Sequence, residues 1–496
     1  MNAPATLVII AATLIAAPLS AQPGTLDPSF NTTGYVIDTE LNEPKSVAVF
    51  PDGRIVMCAG NKLYMFMPDG SRATAFGTAG VLSSIGLTAT KVLIQPDGKI
   101  LVGGVLNGAG IGQDFAAARF NEDGSPDTSF GVDGFVQVVL PNFDTCYGMD
   151  LFDDGRVMLT GGSNIDFASH LILLNADGSP DASFGDNGHV VWMPVPGDIF
   201  TVYDAALQAD GRIVFTAEHA PEFDDDVVGR FLPDGTLDDT FNGTGTIYLD
   251  FGANNDRPVQ VELDAQGRSI VLATSSTANQ FHSGSLARLT TAGTLDPTFG
   301  TNGIVALNSA SSSFTPKSFC IQSDGKLVVT GATGGSNRNV YLVRFDADGA
   351  LDSGFGDAGY AIIDLPGSED GNAIVATTND KLVVAGRVSV PGGVADLLVA
   401  RFWQSSGLAV DDVPGHVASL RVVPCPAPGT FTITGEGTNA PNGTLEVFDA
   451  SGRSVAVSYQ FTSHGIQVQA ESLPPGLFVA RVRAMHGTSV VRFEKL

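Results

Sequence analysis

The sequence predicts an all-β fold with seven repeated four-stranded units, followed by a smaller and separate β domain. Three observations predict it: a motif containing glycine and phenylalanine recurs seven times, strand-like segments alternate with Asp-Gly turns, and both patterns stop near residue 403. A repeat of this length is typical of arrays in which each unit is stabilised by its neighbours. The 496 residues, 43% of them hydrophobic, can supply the buried core that such an array needs.

The motif runs Gly-x-x-Asp-x-x-Phe in its fullest form, as from Gly124 to Phe130. Consecutive motif phenylalanines lie 46 to 58 residues apart, and they are Phe30, Phe76, Phe130, Phe184, Phe241, Phe299 and Phe355. Between them, hairpin turns such as Asp154-Gly155 join short β-rich segments, because Asp-Gly tolerates positive φ. Four strands per unit are typical of a propeller blade. The sequence therefore predicts a seven-bladed β-propeller over residues 22–403, followed by a small β-sandwich domain.

Counting strands predicts how the array closes. A lone strand, Tyr35–Thr39, precedes the first hairpin, whereas the array ends after Leu397–Phe402 without a fourth strand. A closed ring removes the exposed sheet edge that an open array would leave. We therefore expect the first strand to complete the last unit as its outermost member.

The repeated aspartates and phenylalanines are best interpreted as structural, and the alternative is that the neighbouring turns bind calcium. We expect the aspartates to bond nearby backbone amides and the phenylalanines to pack between blades; these residues are Asp127, Phe130, Asp181, Phe184, Asp238, Phe241, Asp296, Phe299, Asp352 and Phe355. The start of Asp346–Gly349 is like that of a calcium loop, but it lacks the distal bidentate glutamate, and copies such as Thr290–Gly293 lose the first ligand. The sequence predicts structural turns and no cofactor, with calcium as the alternative.

The hydrophobic-x-Asp-Gly-[Lys/Arg] hairpins and the Arg-Phe-x-x-Asp-Gly turns together resemble the bacterial delta-60 repeat family, and more loosely the NHL-like propellers. The resemblance covers about three quarters of the chain. It implies the propeller architecture and no particular activity, because propellers host many unrelated functions.

The N-terminus predicts export. Leu7 to Ala17 form an apolar run, and small residues follow it as far as Ala21. Such a run is too short to cross a bilayer and is typical of a signal peptide, which we place at residues 1–21. No later segment is long and apolar enough to predict a transmembrane span.

The C-terminal part predicts a linker over residues 404–416 and a small β-sandwich over residues 417–496, because short alternating strands recur there. Its turn motifs resemble those of the C-terminal sorting domain (type A) of type IX secretion cargo, with Cys425 in place of the usual Asn. The matching residues are Pro424, Pro426, Gly429, Asp449, Gly452, Arg453 and Gly476. The resemblance implies recognition by the secretion machinery of a Bacteroidetes-type bacterium, and then release or attachment at the outer cell surface.

Charge and motifs exclude several function classes. The formal net charge of −27 argues against nucleic acid as a partner, which needs a basic surface. The sequence contains no GxSxG or HExxH motif, and its seven histidines and four cysteines lack metal-ligand spacing. We therefore predict no catalytic residue and no metal site.

The remaining clue is that one set of connections varies. The Asp-Gly hairpins and the motif turns lie on one face of the predicted propeller, which we call the motif face. The connections on the opposite face, which we call the variable face, differ from unit to unit in length and content. The candidate binding residues there are Asp144, Asp166, Tyr203, Glu218, Glu222, Asp224, Asp225 and Asp226. The sequence predicts a non-enzymatic binding or scaffold module for an extracellular protein or glycan.

Two alternatives stay open. One is an extracellular carbohydrate-active enzyme, a lyase or glycosidase, that uses carboxylates on the variable face. It would need two carboxyl groups about 5–10 Å apart in a deep cleft, one with a raised pKa. The other is that the variable connections differ only because nothing constrains them.

Overall fold

The structure is a computed structural model. It describes residues 22–39, 43–107, 112–140, 144–220, 225–251, 255–276, 282–307, 314–334, 338–389, 395–405, 421–423, 430–434, 444–449, 454–462, 465–469, 473, 476–484 and 487–495. The chain divides into two compact units, with the boundary between Ser405 and Ser406. The described residues contain strands and no helix, so none of them forms a helix that could cross a membrane.

The larger unit contains 28 strands in its described residues. The first thirteen are β1 (Tyr35–Asp38), β2 (Ser46–Val49), β3 (Ile55–Ala59), β4 (Lys62–Phe66), β5 (Val81–Ser83), β6 (Thr88–Ile94), β7 (Ile100–Asn107), β8 (Gln113–Phe120), β9 (Phe135–Val138), β10 (Asp144–Leu151), β11 (Val157–Ser163), β12 (Ser169–Leu174) and β13 (His189–Trp192). The others are β14 (Ile199–Leu207), β15 (Ile213–Ala220), β16 (Asp225–Phe231), β17 (Thr246–Leu249), β18 (Asn255–Leu263), β19 (Ser269–Ser276), β20 (His282–Leu289), β21 (Ile304–Leu307), β22 (Phe314–Ile321), β23 (Leu327–Thr333), β24 (Val340–Phe345), β25 (Tyr360–Ile363), β26 (Ser368–Ala376), β27 (Lys381–Ser389) and β28 (Ala395–Trp403).

These strands form seven four-stranded antiparallel sheets among the described residues. The first six sheets each take four consecutive strands in chain order, from β2–β5 to β22–β25. The Asp-Gly hairpins join the first and second strands, and Gly155 has the positive φ (89°) expected of such a turn. Strands inside a sheet, such as β3, are buried at every position, because neighbouring sheets cover both of their faces.

The predicted closure is confirmed. The seventh sheet has the order β1-β28-β27-β26, and β1 pairs with β28 from Tyr35 opposite Ala400 to Asp38 opposite Leu397. The first strand of each sheet contacts the first strand of the next, and β26 of the seventh sheet contacts β2 of the first. The sheets therefore form a closed series within this unit.

The core of this unit is divided among the sheet interfaces. Each of its seven hydrophobic clusters draws on two neighbouring sheets. Phe130, for example, is fully buried with Phe115 of the second sheet and Leu159 of the third. Every sheet is thus stabilised mainly by its neighbours, as in other repeat arrays.

The smaller unit contains two four-stranded sheets in its described residues, with the orders β29-β30-β34-β33 and β32-β31-β35-β36. The strands are β29 (Arg421–Val423), β30 (Thr430–Thr434), β31 (Thr444–Asp449), β32 (Ser454–Val455), β33 (Ser458–Thr462), β34 (Gly465–Gln469), β35 (Gly476–Ala484) and β36 (Gly487–Lys495). Burial alternates along β30, and one cluster that includes Ile433, Val447 and Phe478 joins the two sheets. Residues 1–21 lie outside the described residues, as does most of the predicted linker.

Candidate functional site

The motif face is held together by a repeated clamp built on an arginine of the third strand. In five units this arginine donates from Nε to the motif aspartate, at 2.6 to 2.9 Å, and its guanidinium lies 4.6 to 4.9 Å from the centre of the motif phenylalanine ring. The five pairs are Arg119–Asp127, Arg230–Asp238, Arg288–Asp296, Arg344–Asp352 and Arg401–Asp27. Such charge-assisted bonds are stronger than neutral ones.

The clamp also reaches across units. Arg119 Nη1 donates to the carbonyl oxygen of Ala176 in the next unit, at 2.6 Å, and the second carboxylate oxygen of Asp127 accepts from the backbone and hydroxyl of Ser129. In the third unit Leu173 occupies the arginine position, and Arg156 from the Asp-Gly hairpin bonds Asp181 instead, at 3.0 Å. Phe184 remains fully buried there. The motif aspartates and phenylalanines thus lie where they stabilise the array.

The turn carboxylates considered for calcium are already engaged. Asp123 Oδ1 accepts from the backbone N–H and the hydroxyl of Ser125, at 2.8 and 2.6 Å. Asp348 accepts from the backbone of Ala350, and Asp346 pairs with the ammonium group of Lys326. Within the described part of the chain, no three His, Cys, Asp or Glu side chains are grouped so that they could hold a metal ion.

Near the middle of the first strand of six sheets, a β-bulge re-aims one side chain. A bulge places an extra residue against the partner strand and changes the direction of its side chain. The bulged residues are Thr90, Tyr147, Tyr203, Val259, Lys317 and Asn372. Two neighbouring tyrosines therefore occupy equivalent positions in the third and fourth sheets.

These tyrosines form a polar aromatic group with Glu218 and Arg257. The rings of Tyr147 and Tyr203 stack with centroids 4.7 Å apart, and the Tyr203 hydroxyl donates to Glu218 Oε2 at 2.7 Å. Arg257 donates from Nε and Nη2 to the two oxygens of Glu218, at 3.0 and 3.2 Å. Burial and the carboxylate of Glu218 raise the pKa of Tyr203, so its hydroxyl stays a donor. An exposed ring beside a fixed ion pair can stack on a ligand and bond it.

Asp144 and Asp166 lie together near a buried histidine that the sequence did not single out. His170 Nε2 is 3.6 Å from Asp144 Oδ1 and 3.8 Å from Asp166 Oδ1, and its Nδ1 is 2.9 Å from His189 Nε2. Burial lowers the pKa of His170 despite the nearby Asp166 carboxylate, which favours the neutral ring at physiological pH. Asp144 is fully buried, so it can act on a ligand only through its neighbours.

The other predicted binding residues divide between buried and undescribed positions. Asp226 lies at the start of β16 and is fully buried. Asp225 begins that strand, but its side chain lies outside the described part of the structure, as do Glu222 and Asp224. In the smaller unit, Asp449 ends β31 and Gly476 begins β35, whereas Pro424, Pro426, Gly429, Gly452 and Arg453 lie outside the described residues.

A second group of titratable side chains, here the inner cluster, lies on the first strands of four consecutive sheets. It consists of Lys91, Asp150, Asp204 and Glu262. Asp204 accepts from the backbone N–H of Val261 at 3.1 Å, and Glu262 accepts from that of Ile321 at 3.3 Å. Each of these two carboxyl groups thus accepts a hydrogen bond from the first strand of the next sheet, whose backbone N–H groups lie on a sheet edge.

Burial changes the protonation of the inner cluster. It raises the pKa of Asp150 to about 7 and that of Glu262 to about 8, although Lys91 acts in the opposite direction. Burial alone would lower the pKa of Lys91, but Asp204, Asp150 and Glu262 more than offset this effect. The ammonium group stays charged, and the carboxyl groups hold protons that exposed ones would release.

We expect this cluster to make folding stability fall as the pH rises. A carboxyl group whose pKa is higher in the folded than in the unfolded protein binds its proton more tightly when folded. Its contribution to the free energy of unfolding is therefore full at low pH and is lost between about pH 4.5 and 8. Glu262→Gln, which stays uncharged, should match the wild type at pH 5 and exceed it by about 1–3 kcal/mol at pH 8.5. Melting curves of both proteins from pH 5 to 8.5 measure this difference. Exposed Glu122, changed to Gln, serves as the control, and a pH-independent difference for Glu262→Gln would contradict the interpretation.

The comparisons with known proteins agree with the repeat. A family model described as "Domain of unknown function (DUF5122) beta-propeller" matches residues 95–130, 153–184, 268–299 and 322–355. Each matched segment ends at a motif phenylalanine, and so they share the register of the repeat. Among curated proteins, none matches the chain.

Three solved structures illustrate the likeness in fold. The extracellular domain of a hybrid two-component system from B. thetaiotaomicron has 10% identity and a TM-score of 0.43, with 96% of this chain and 59% of that chain covered. A polysaccharide lyase of family PL25, an ulvan lyase, has 12% identity and a TM-score of 0.43, with 75% and 96% covered. Drosophila Semaphorin 2a has 9% identity and a TM-score of 0.45, with 93% and 97% covered. The family match and the closed series of sheets identify the larger unit as a β-propeller.

Proposed function

We propose that the chain is a secreted or cell-surface β-propeller of seven blades that binds an extracellular ligand on its variable face without transforming it. The contrast between the two faces carries the proposal. On the motif face the repeated charged side chains bond one another and the backbone, as in Arg119 and Asp127. On the variable face of the third and fourth sheets, Tyr147 and Phe167 expose aromatic rings to solvent. Exposed rings on a rigid frame are typical of binding surfaces.

The proposal extends to the rest of the chain. Residues 1–21 act as a signal peptide, and residues 417–496 form a sandwich that serves as the sorting domain for type IX secretion. Support comes from the two sheets with a shared core and from Asp449 and Gly476, which end and begin the paired strands β31 and β35. We expect the propeller to bind no cofactor, and the support for this is that the turn carboxylates bond serine and backbone groups.

Arrays of extracellular polysaccharides and peptides, probed with the full chain, test the binding function. We expect the array to retain at least one ligand class. If that ligand binds the group formed by the two tyrosines, Glu218 and Arg257, the double variant Tyr147→Ala with Arg257→Ala should weaken its retention at least about tenfold. The motif-face variant Val132→Ala should bind like the wild type. A chain that retains nothing, or whose retention ignores every substitution on the variable face, would rule the function out.

The second candidate is a carbohydrate-active enzyme. The observation in its favour is that Asp150 and Glu262 have pKa values near 7 and 8, the range of a general acid. Shortened or unsaturated products from any retained polysaccharide, lost in Asp150→Asn, would favour this function over binding alone.

A further inference from the structure

An apolar patch lies on the variable face between the third and fourth sheets. It consists of Ile165, Phe167, Met193, Val195 and Ile199, whose exposed fractions lie between 37% and 58%. The first two belong to the connection between β11 and β12, and the other three lie at or near the connection between β13 and β14. Single exposed hydrophobic residues are common, but a group of them is typical of an interaction surface.

The two connections are adjacent in space. The backbone N–H of Phe200, directly after Ile199, donates to the carbonyl oxygen of Phe167 at 3.0 Å. The Phe200 ring also contacts the Trp192 ring at the other end of the second connection, with centroids 5.1 Å apart. The five side chains therefore stand on one continuous support.

The first connection is rigid and strained. The backbone N–H of Ser163 donates to the carbonyl oxygen of Ala168 at 3.0 Å, and the Asp166 carboxylate accepts from the backbone N–H of Ala168 at 3.2 Å. Between them Phe167 has a φ of 61°, a left-handed conformation that is unfavourable for an aromatic residue. Backbone strain that the surrounding structure maintains is common at binding and active sites.

The second connection is rigid as well. Pro194 and Pro196 restrict its backbone, and the Asp198 carboxylate is 3.0 Å from Nε2 of His219. A surface ordered before binding loses little conformational entropy when a partner arrives.

The charges around the patch indicate its partner. The two connections carry Asp166 and Asp198 and no lysine or arginine, and the whole chain has a net charge of −27. We infer that the patch docks a protein surface whose exposed apolar side chains are surrounded by lysine or arginine. This inference rests on the proposed binding function and names the partner of the variable face.

Other occupants fit less well. A polysaccharide needs hydrogen-bonding groups beside its sugar rings, whereas Ile165 and Val195 have none and Met193 offers only a weakly accepting sulfur. A second copy of the chain docked patch to patch would bring Asp166 and Asp198 against like charges. The apolar surface and the carboxylates together match a basic protein surface.

An array of synthetic peptides in four composition classes tests the inference with the full chain: basic and apolar, acidic and apolar, basic without apolar residues, and neutral. We expect retention of the first class only. Phe167→Gly should weaken it at least about tenfold, with an unchanged or higher melting temperature, because glycine tolerates positive φ. Val132→Ala, which truncates an exposed side chain on the motif face, should bind like the wild type.

The other results separate this inference from the binding function. Equal retention of basic peptides without apolar residues, or full retention by Phe167→Gly, would overturn the docking patch. Polysaccharide retention without peptide retention would keep the binding function and replace the partner. A dimer in sedimentation experiments that Phe167→Gly dissociates would assign the patch to a second copy. Failure to retain any peptide or polysaccharide would overturn both the inference and the binding function.

Discussion

Replacing Asp27 by Asn is expected to lower the free energy of unfolding of the propeller by about 3–5 kcal/mol, because it removes one charge from a buried ion pair. Asp27 is fully buried and accepts from Arg401 Nε at 2.8 Å and from the backbone and hydroxyl of Ser29. The Lys381 ammonium lies 3.4 Å away. Since Asp27 precedes the first sheet and Arg401 belongs to the seventh, this pair also joins the two ends of the array.

The pH dependence identifies the charge as the cause. Burial alone would raise the pKa of Asp27, but Arg401, Ser29 and Lys381 more than offset it, and the pKa lies below its usual value of 3.8. The stabilisation is therefore present above about pH 4 and is lost as the pH falls further. Calorimetry should show the difference between Asp27→Asn and the wild type shrinking at acid pH. The control Asp52→Asn, which changes an exposed partner of Arg54, should lower the free energy of unfolding by less than about 1 kcal/mol. Equal losses for the two variants would refute the proposed role of the clamp.

Much of the fold follows from the repeat. The recurring Phe130 motif and the Asp-Gly hairpins identify four strands per unit, and the unpaired segment Tyr35–Thr39 predicts the closing strand that pairs with β28. These features are local, or they follow from counting, and so they can be read from a single chain.

The sequence predicts only part of the clamp. Asp127 and Phe130 recur and predict a structural role, but nothing in their motif identifies Arg119 as their partner. A signal was present, since a cation stands eight residues before the motif aspartate in four units, as Arg119 does before Asp127. The spacing carries no meaning until the strand and the turn are known to fold against each other.

The sites could not be predicted in the same way. Lys91, Asp150 and Glu262 belong to different units, and only the closed series of sheets brings them together. Acidic residues in the variable connections predict exposed binding groups, yet Asp144 and Asp226 are buried. The sequence does not predict that Ile165 and Phe167 form a surface patch, because an apolar residue in a loop has no distinctive pattern before its exposure is known.

A disulfide across the closure is the second large effect that we expect. Tyr35 and Ala400 are opposite each other in the pairing of β1 with β28, and residues opposed in antiparallel strands have Cα atoms about 4.5–5.5 Å apart, within reach of a disulfide. Tyr35→Cys with Ala400→Cys should cross-link under oxidation and stabilise the propeller by up to about 5 kcal/mol, because the bond closes a very long loop. The matched control is Tyr35→Cys with Ala287→Cys, which moves the second cysteine to the equivalent position of the fifth sheet.

The central claim is that the first strand completes the last sheet and so closes the ring that supports both faces. Mass spectrometry of the oxidised double variant tests it directly. We expect a disulfide-linked peptide joining positions 35 and 400, a higher melting temperature, and no cross-link in the control. A variant that stays reduced at these positions, or cross-links as readily to position 287, would contradict the closure and the assignment of the two faces.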